Sequence, residues 1–127
     1  MSKKDNIVKG KILHMDNESD VLVSVKAILE REGYEVKSAQ TDKEALRAVE
    51  KEIFDLVLLD VMMPNLSGWD IFSRVISINP DQKVAFLTVL EISAQRKKDL
   101  KRAGVVEYFT KPVNIKKFVK RIDSIVT

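Results

Sequence analysis

The sequence predicts an α/β fold built on a doubly wound parallel sheet. Short apolar runs alternate strictly with segments of helical spacing, and five such strand–helix pairs follow one another. Strict alternation implies right-handed crossovers between parallel strands, with helices covering both faces of the sheet. Strands buried on both faces read as continuous apolar runs, as VLL and VAFL do here.

The first half of the chain predicts two strand–helix pairs. Residues 11–15 form an apolar run, and residues 21–29 then carry apolar side chains at helical spacing before Gly33. Residues 34–39 predict the second strand. The sequence TDKE at residues 41–44 has the form of a capping box, which predicts the start of the second helix.

The second half predicts three more pairs. Their strands are expected at residues 55–60, 83–88 and 107–110. The helices that follow them are expected to end near Asn79, to span residues 91–103 before Gly104, and to start at Ile115.

Length and composition favour a single domain over residues 1–127 with no output domain. A chain of 127 residues buries roughly two thirds of its unfolded surface when it folds. The absence of cysteine excludes disulfide frameworks and thiolate metal sites. The N-terminal segment lacks the apolar stretch of a signal peptide, and no run approaches the ~20 apolar residues of a membrane span. We therefore expect a cytoplasmic protein that does not cross a membrane.

The net charge of +3 hides an uneven distribution along the chain. Residues 96–127 carry ten basic and three acidic residues, so this part has a charge of +7 and the rest has −4. The predicted helix at 91–103 has few apolar positions, so we expect it to be held less firmly than the last helix.

Polar residues follow the predicted strands at the edge where such sheets bind ligands. They are Asp16 with Asn17 and Glu18, then Asp60, Thr88, and Lys111 with Pro112. A carboxylate at the end of a buried run costs free energy unless a partner compensates it. Asp60 therefore indicates a site, although Asp16 also fits as an N-cap of the first helix.

These residues lie in motifs that resemble a known family along the whole chain. The motifs are ILHMDNE, LLDVMMPNLSG, FLT and YFTKP, in that order. Together they resemble the receiver domain of two-component response regulators, of the single-domain chemotaxis type. The resemblance implies a flavodoxin-like, five-stranded sheet in the order 2-1-3-4-5.

The resemblance also implies a role for each matching residue. Asp60 would accept a phosphoryl group from the phosphohistidine of a histidine kinase or phosphotransfer protein, because an ionised carboxylate needs no general base. Lys111 and Thr88 would complete the catalytic set, and Thr88 with Tyr108 would form the switch. Such a domain phosphorylates itself and is not a turnover enzyme.

Mg²⁺ is the cofactor that the resemblance implies. Its expected ligands are Asp16, Asn17, Asp60 and the backbone carbonyl of Met62, since Mg²⁺ prefers oxygen ligands. The family places an acid where this chain has Asn17, so we expect weaker metal binding. Pro112 is expected to follow a cis peptide bond.

Three apolar residues near the expected phosphorylation site also depart from the family pattern. They are Met62, Val89 and Leu90. Apolar side chains there would orient water poorly, so a long-lived acyl phosphate is expected. His14, the lone histidine, lies inside a strand and is interpreted as a packed core residue.

Two other function classes stay open. Asn17 allows a receiver-like interaction module that acts without phosphorylation, and Mg²⁺ binding would distinguish it from a phosphoacceptor. The basic tail allows a nucleic-acid-binding domain, but no aromatic residues interleave to stack on bases. A haloacid-dehalogenase-like phosphatase would need an acid at position 62, where this chain has methionine. A dinucleotide enzyme would need a glycine-rich first loop, where this chain has HMDNES, so the sequence disfavours both classes.

The basic surface predicts a partner of opposite charge. Its residues on the last two helices are Arg96, Lys97, Lys98, Lys101, Arg102, Lys116, Lys117, Lys120 and Arg121. We expect an acidic protein partner, or a homodimer that places acidic residues opposite, with binding that weakens as salt rises.

Overall fold

A computed structural model describes residues 7–127 as a five-stranded parallel sheet flanked by five helices. The strands are β1 (Lys11–Met15), β2 (Glu35–Ala39), β3 (Leu56–Leu59), β4 (Val84–Thr88) and β5 (Val105–Thr110). Their order in the sheet is β2-β1-β3-β4-β5, and every neighbouring pair is parallel. The predicted fold class and strand order are confirmed.

The helices alternate with the strands along the chain. They are α1 (Ser19–Arg31), α2 (Asp42–Lys51), α3 (Gly68–Ile78), α4 (Ala94–Arg102) and α5 (Ile115–Val126). The predicted capping box forms at the start of α2, where the Thr41 hydroxyl accepts from the Glu44 amide and the Glu44 carboxylate accepts from the Thr41 amide. Gly33 and Gly104 follow α1 and α4 with positive φ, the conformation that glycine adopts at helix ends.

Several predicted boundaries differ from the structure. β2, β3 and β4 each begin one residue later than predicted, β3 also ends one residue earlier, and larger differences occur at α4 and β5. The helix expected over residues 91–103 begins at Ala94, because Ser93 is its N-cap and accepts from the Arg96 amide. The last strand begins at Val105 rather than at residue 107. The N-cap of α1 is Glu18, so the alternative role of Asp16 as that cap is also wrong.

The sheet separates the core into two apolar layers. Leu13 and Met15 face one layer, which also contains Phe86 and Tyr108. The alternate residue Ile12 faces the other layer, together with the apolar sides of α1 and α5. β3 and β4 are buried at every position, as expected for central strands covered on both faces.

Within residues 7–127, none of the helices is both long and apolar enough to span a bilayer.

Candidate functional site

The carboxyl ends of four strands bring together most of the side chains that the sequence singles out. Asp16 follows β1, Asp60 follows β3, Thr88 ends β4 and Lys111 follows β5. The Lys111 ammonium lies 2.8 Å from Asp16 Oδ2 and 3.5 Å from Asp60 Oδ2. The lysine that follows β5 therefore contacts two carboxylates that are 44 positions apart in the sequence.

Both carboxylates of this site are buried. Asp16 is 0% exposed and Asp60 is 4% exposed. The amide of Met62 donates to Asp60 Oδ1 at 3.0 Å, and the amide of Glu18 donates to Asp16 Oδ1 at 2.9 Å. Hydrogen bonds and the nearby ammonium thus offset the cost of burying two charges.

The two carboxylates also act on Lys111. Burial alone would lower the pKa of the Lys111 ammonium, but its hydrogen bond to Asp16 and the charges of Asp16 and Asp60 outweigh that effect. The pKa of Lys111 is therefore raised above its usual value, and the side chain stays cationic. One ammonium against two carboxylates leaves the site with a surplus of negative charge.

The loop after Asp60 is folded closely against the start of α3. The Gly68 amide donates to the Val61 carbonyl at 2.9 Å. A Cβ at Gly68 would lie 2.7 Å from the Val61 Cα and would also meet the Asp60 backbone, which is closer than side chains tolerate. Glycine at position 68 thus permits the close approach that fixes the loop carrying Asp60.

The site fits an oxygen-preferring cation. Mg²⁺ is commonly held by one or two carboxylates and keeps several waters. Asp16 and Asp60 supply such carboxylates, with surplus negative charge. Asn17 is exposed next to Asp16, and its backbone carbonyl accepts from Gln40 Nε2 at 3.2 Å. Within residues 7–127, no cluster of three or more His, Cys, Asp or Glu side chains could hold a metal by itself. Waters and neutral oxygens, such as those of Asn17 and Met62, would complete the coordination of a cation held by the two carboxylates.

Thr88 and Tyr108 are joined through one residue. The Leu90 amide donates to Thr88 Oγ1 at 3.3 Å, and the Tyr108 hydroxyl donates to the Leu90 carbonyl. Both side chains are buried, Thr88 at 0% and Tyr108 at 7% exposure. The tyrosine ring is thus turned inward.

The apolar residues near the site differ in exposure. Met62 is 55% exposed and Val89 is 58% exposed. Leu90 is half-buried and packs against the core layer that contains Phe86 and Tyr108. Lys111-Pro112 is a cis peptide bond, as expected.

The structure confirms that His14 is a packed core residue, and it adds two features that sequence patterns do not predict. His14 is fully buried, and neither ring nitrogen has a hydrogen-bond partner among the described residues. Burial and the charge of Lys111 lower the pKa of His14 to about 4, so the imidazole is neutral. In addition, Arg96 and Lys97 of α4 lie over the rings of Trp69 and Tyr108. A lone histidine inside an apolar strand was the only signal in the sequence for either feature.

Known proteins resemble this chain over most of its length. The family model described as "Response regulator receiver domain" matches residues 12–123. The chain is 33% identical over 111 residues to the probable transcriptional regulatory protein TcrX of Mycobacterium tuberculosis, covering 87% of this chain and 47% of that protein. It is 33% identical over 119 residues to the alkaline phosphatase synthesis transcriptional regulatory protein PhoP of Bacillus subtilis, covering 91% and 48%. The chain thus spans about half the length of these curated relatives.

Solved structures extend the similarity over most of both chains. A CheY-like receiver domain protein from Methanospirillum hungatei JF-1 superposes with a TM-score of 0.82 at 33% identity, covering 91% of this chain and 92% of that one. Response regulator TrrA of Thermotoga maritima, solved in complex with Mg²⁺ and BeF, superposes with a TM-score of 0.78 at 29% identity, covering 91% and 97%. The chain therefore belongs to the response regulator receiver domain family of two-component systems.

Proposed function

We propose that Asp60 accepts a phosphoryl group from the phosphohistidine of a histidine kinase or phosphotransfer protein. One carboxylate oxygen attacks phosphorus, the phosphorus–nitrogen bond breaks, and the imidazole leaves and takes a proton from solvent. The observation that carries this proposal is the position of Asp60, which is buried at a strand end with Lys111 3.5 Å away. An ionised carboxylate beside a cation is a suitable acceptor.

Lys111 and Thr88 support the transfer in different ways. Lys111 places a positive charge where negative charge accumulates during the attack. Thr88 is buried at the same edge, and its hydroxyl currently accepts from the Leu90 amide. A phosphoryl oxygen at Asp60 would offer this hydroxyl a stronger, charged acceptor.

Mg²⁺ would be held by Asp16, Asp60, Asn17 and the backbone carbonyl of Met62. When bound, it would reduce the repulsion between the anionic donor and the carboxylates. The neutral amide of Asn17 lowers the negative charge available to the metal, so we infer a weaker site than one with a third carboxylate. The magnesium complex of the similar TrrA supports the choice of metal.

The chain acts as a stoichiometric phosphoacceptor in this proposal. Each molecule takes one phosphoryl group on Asp60 and does not turn over a separate substrate. The product is an acyl phosphate whose later hydrolysis returns the domain to its starting state.

A direct test is incubation with a small phosphodonor, with and without Mg²⁺, followed by intact mass measurement. We expect the wild type to gain the mass of one phosphoryl group only with the metal. Asp60→Ala should gain none, while Asp81→Asn, a carboxylate change away from the site, should behave like the wild type. A phosphoryl group on Asp60→Ala would contradict the proposal.

A second candidate function is an interaction module that works without phosphorylation. Two observations favour it: Asn17 provides no charge for the metal, and Tyr108 is already buried. Loss of Mg²⁺ binding together with unchanged partner binding in Asp60→Ala would favour this second candidate.

The basic surface of α4 and α5 is the proposed site for a downstream partner. A groove of about 420 Å³ lies between these helices, with Lys97, Lys117 and Arg121 among its lining residues. Arg121 is paired with Glu107 at 2.6 Å, whereas Lys97 and Lys117 are exposed. We infer an acidic protein partner, or a second copy with acidic residues opposite, in preference to nucleic acid.

A further inference from the structure

Tyr108 lies in a cluster of aromatic rings on one face of the sheet. Its ring centroid is 6.0 Å from that of Phe86 and 6.4 Å from that of Trp69. The planes of Trp69 and Tyr108 are nearly parallel, at 15°. Trp69 also contacts Phe86, with centroids 4.7 Å apart. Trp69 and Tyr108 therefore both pack against the buried ring of Phe86.

Two cations of α4 cover this cluster from outside. The Arg96 guanidinium lies 5.2 Å from the Trp69 ring centroid, and Lys97 Nζ lies 6.0 Å from the Tyr108 ring centroid. Cations at these distances are attracted to the negative faces of aromatic rings. Both residues belong to the first turn of α4, which Ser93 caps. The first turn of α4 thus lies across the two rings.

Few other contacts position this helix. Leu100 is the only buried residue of α4, and its remaining side chains are exposed. Because α4 buries so little apolar surface, its contacts with Trp69 and Tyr108 are a large share of what determines its position. A change at either ring is therefore expected to be transmitted to α4.

We propose that Trp69 and Arg96 are positioning residues that hold Tyr108 in its buried position before any phosphoryl group is present. Trp69 packs beside the tyrosine ring, and Arg96 holds the first turn of α4 over both. The hydrogen bond from the Tyr108 hydroxyl to the Leu90 carbonyl then keeps the segment after Thr88 in place. The regulatory consequence rests on the proposed function: phosphorylation of Asp60 would stabilise an arrangement that this chain already favours.

The test measures burial of Tyr108 in the unphosphorylated protein. The chain has two tyrosines, so fluorotyrosine labelling gives two fluorine resonances, which Tyr34→Phe assigns. Relaxation by a soluble neutral gadolinium chelate reports the exposure of each ring. Tyr34 is 3% exposed in the opposite core layer and serves as an internal control for global unfolding.

We expect both rings to be protected in the wild type. In Trp69→Leu, relaxation of the Tyr108 resonance should rise about threefold or more as the exposed ring state gains population, while Tyr34 stays unchanged. Trp69→Phe, which keeps a ring, should restore at least part of the protection. Arg96→Gln should also raise the signal, Arg96→Lys should restore it, and Lys98→Gln should match the wild type.

Two results would overturn the proposal. One is a wild-type Tyr108 as accessible as in Trp69→Leu. The other is full protection of Tyr108 in both Trp69→Leu and Arg96→Gln. If Trp69→Leu also exposes Tyr34, that variant has unfolded. Arg96 is exposed, so its substitution leaves the core intact, and the comparison of Arg96→Gln with Arg96→Lys then decides the outcome.

A second arm adds Mg²⁺ and beryllofluoride as a stand-in for the phosphoryl group. We expect little change at Tyr108 in the wild type and a return toward protection in Trp69→Leu. A large gain in protection for the wild type would contradict the proposal. Failure of beryllofluoride to bind would count against the phosphoacceptor function alone, because the first arm needs no phosphoryl group.

Discussion

At the scale of single residues, the site contains two carboxylates and one ammonium, so its negative charge is only partly compensated. Lys111 contacts both Asp16 and Asp60, and backbone amides donate to each carboxylate. The remaining negative charge suits a divalent cation. The surroundings of each ligand residue decide how strongly that cation can be bound. Three predictions belong to this scale.

The first concerns Asn17, which lies exposed beside the buried Asp16. Asn17→Asp adds a negative charge to the oxygen donors, so we expect Mg²⁺ affinity to rise by about tenfold, or ~1.4 kcal/mol. Trp69 is the only tryptophan and lies shortly after the loop of Asp60, so its fluorescence reports the titration. Asn79→Asp, at the opposite edge of the sheet, is the matched control. Superimposable titrations for wild type and Asn17→Asp would contradict the expectation.

The second concerns the lifetime of the acyl phosphate. Met62 and Leu90 offer no polar group that could orient water. Met62→Asn combined with Leu90→Glu should speed hydrolysis by about tenfold or more, since a well-positioned general acid or base contributes roughly 10²–10⁴-fold. Decay is followed by intact mass after removal of the donor. Because Leu90 is half-buried, Met62→Asn alone separates the effect on hydrolysis from repacking, and Ile78→Glu is the control away from the site. Equal decay rates in these variants and the wild type would show that the apolar residues do not slow hydrolysis.

The third concerns His14, whose buried imidazole has no partner among the described residues. A buried polar group without a hydrogen bond costs about 1–3 kcal/mol. His14→Val, an apolar and β-branched replacement in a central strand, should therefore raise the free energy of unfolding by about 1 kcal/mol. Urea unfolding at neutral pH measures this free energy. His14→Gln keeps polar atoms and is expected to be no more stable than the wild type. A clear loss of stability in His14→Val would mean that the imidazole has a partner in solution.

At the scale of secondary structure elements, ion pairs join the end of α2 to two strands. Glu52, the C-cap of α2, pairs with Lys11 of β1 and with Lys37 of β2, the latter at 2.8 Å. Hydrogen bonds from Lys11 and Lys37 lower the pKa of Glu52 to about 2. A single carboxylate thus connects three elements at the edge of the sheet opposite the site.

This pairing predicts a pH effect. A carboxyl whose pKa is lower in the folded state stabilises the fold above its unfolded pKa, which is 4.5 here, and loses that contribution as pH falls toward 2. The difference in unfolding free energy between wild type and Glu52→Gln should therefore shrink as pH falls through this window. Chemical unfolding at several pH values measures the difference, with Glu50→Gln on the same helix as control. A difference that is constant with pH would argue against the ion pairs.

Local rules were enough to predict most elements from the sequence. The bounds of β1, the capping box at Thr41 and the ends at Gly33 and Gly104 depend on residues close in sequence. The start of α4 was misjudged because residues 91 and 92 continue a helical pattern, and only the cap at Ser93 excludes them. Contacts between distant residues left no such local pattern.

The candidate site shows the same division. Its position at the strand ends follows from the parallel topology, so Asp16, Asp60 and Lys111 could be expected to meet. The inward ring of Tyr108 could not be expected, because it depends on Trp69 and Arg96, whose spacing in the sequence has no period. Packing between α3, α4 and β5 decides the ring position, and a pattern along one element carries no information about it.

At the scale of the whole molecule, the basic charge is separated from the candidate site at Asp60. The +7 of residues 96–127 lies mainly on the exposed sides of α4 and α5. Asp16 and Asp60 instead lie at the end of the sheet and are buried. Because Lys97 of α4 lies over the ring of Tyr108 on β5, the basic surface adjoins one of the two predicted switch residues.

The last prediction follows from that separation. Lys97→Glu with Lys101→Glu reverses two exposed charges of α4, whereas Lys26→Glu with Lys43→Glu makes the same change in net charge on α1 and α2. A labelled glutamate-rich peptide serves as the probe, with binding followed by fluorescence anisotropy and self-association by sedimentation velocity at rising salt. We expect the α4 pair to weaken peptide binding by about tenfold or more and the control pair to change it much less.

Salt should weaken the wild-type interaction, because exposed charges attract one another over about 10 Å at moderate ionic strength and less at high salt. Stronger binding to duplex DNA than to the peptide would favour the nucleic-acid alternative. Affinity that is indifferent both to salt and to reversal at Lys97 and Lys101 would show that the partner does not use the α4 surface. Equal losses in the two double variants would mean that net charge, rather than its placement on α4, determines binding.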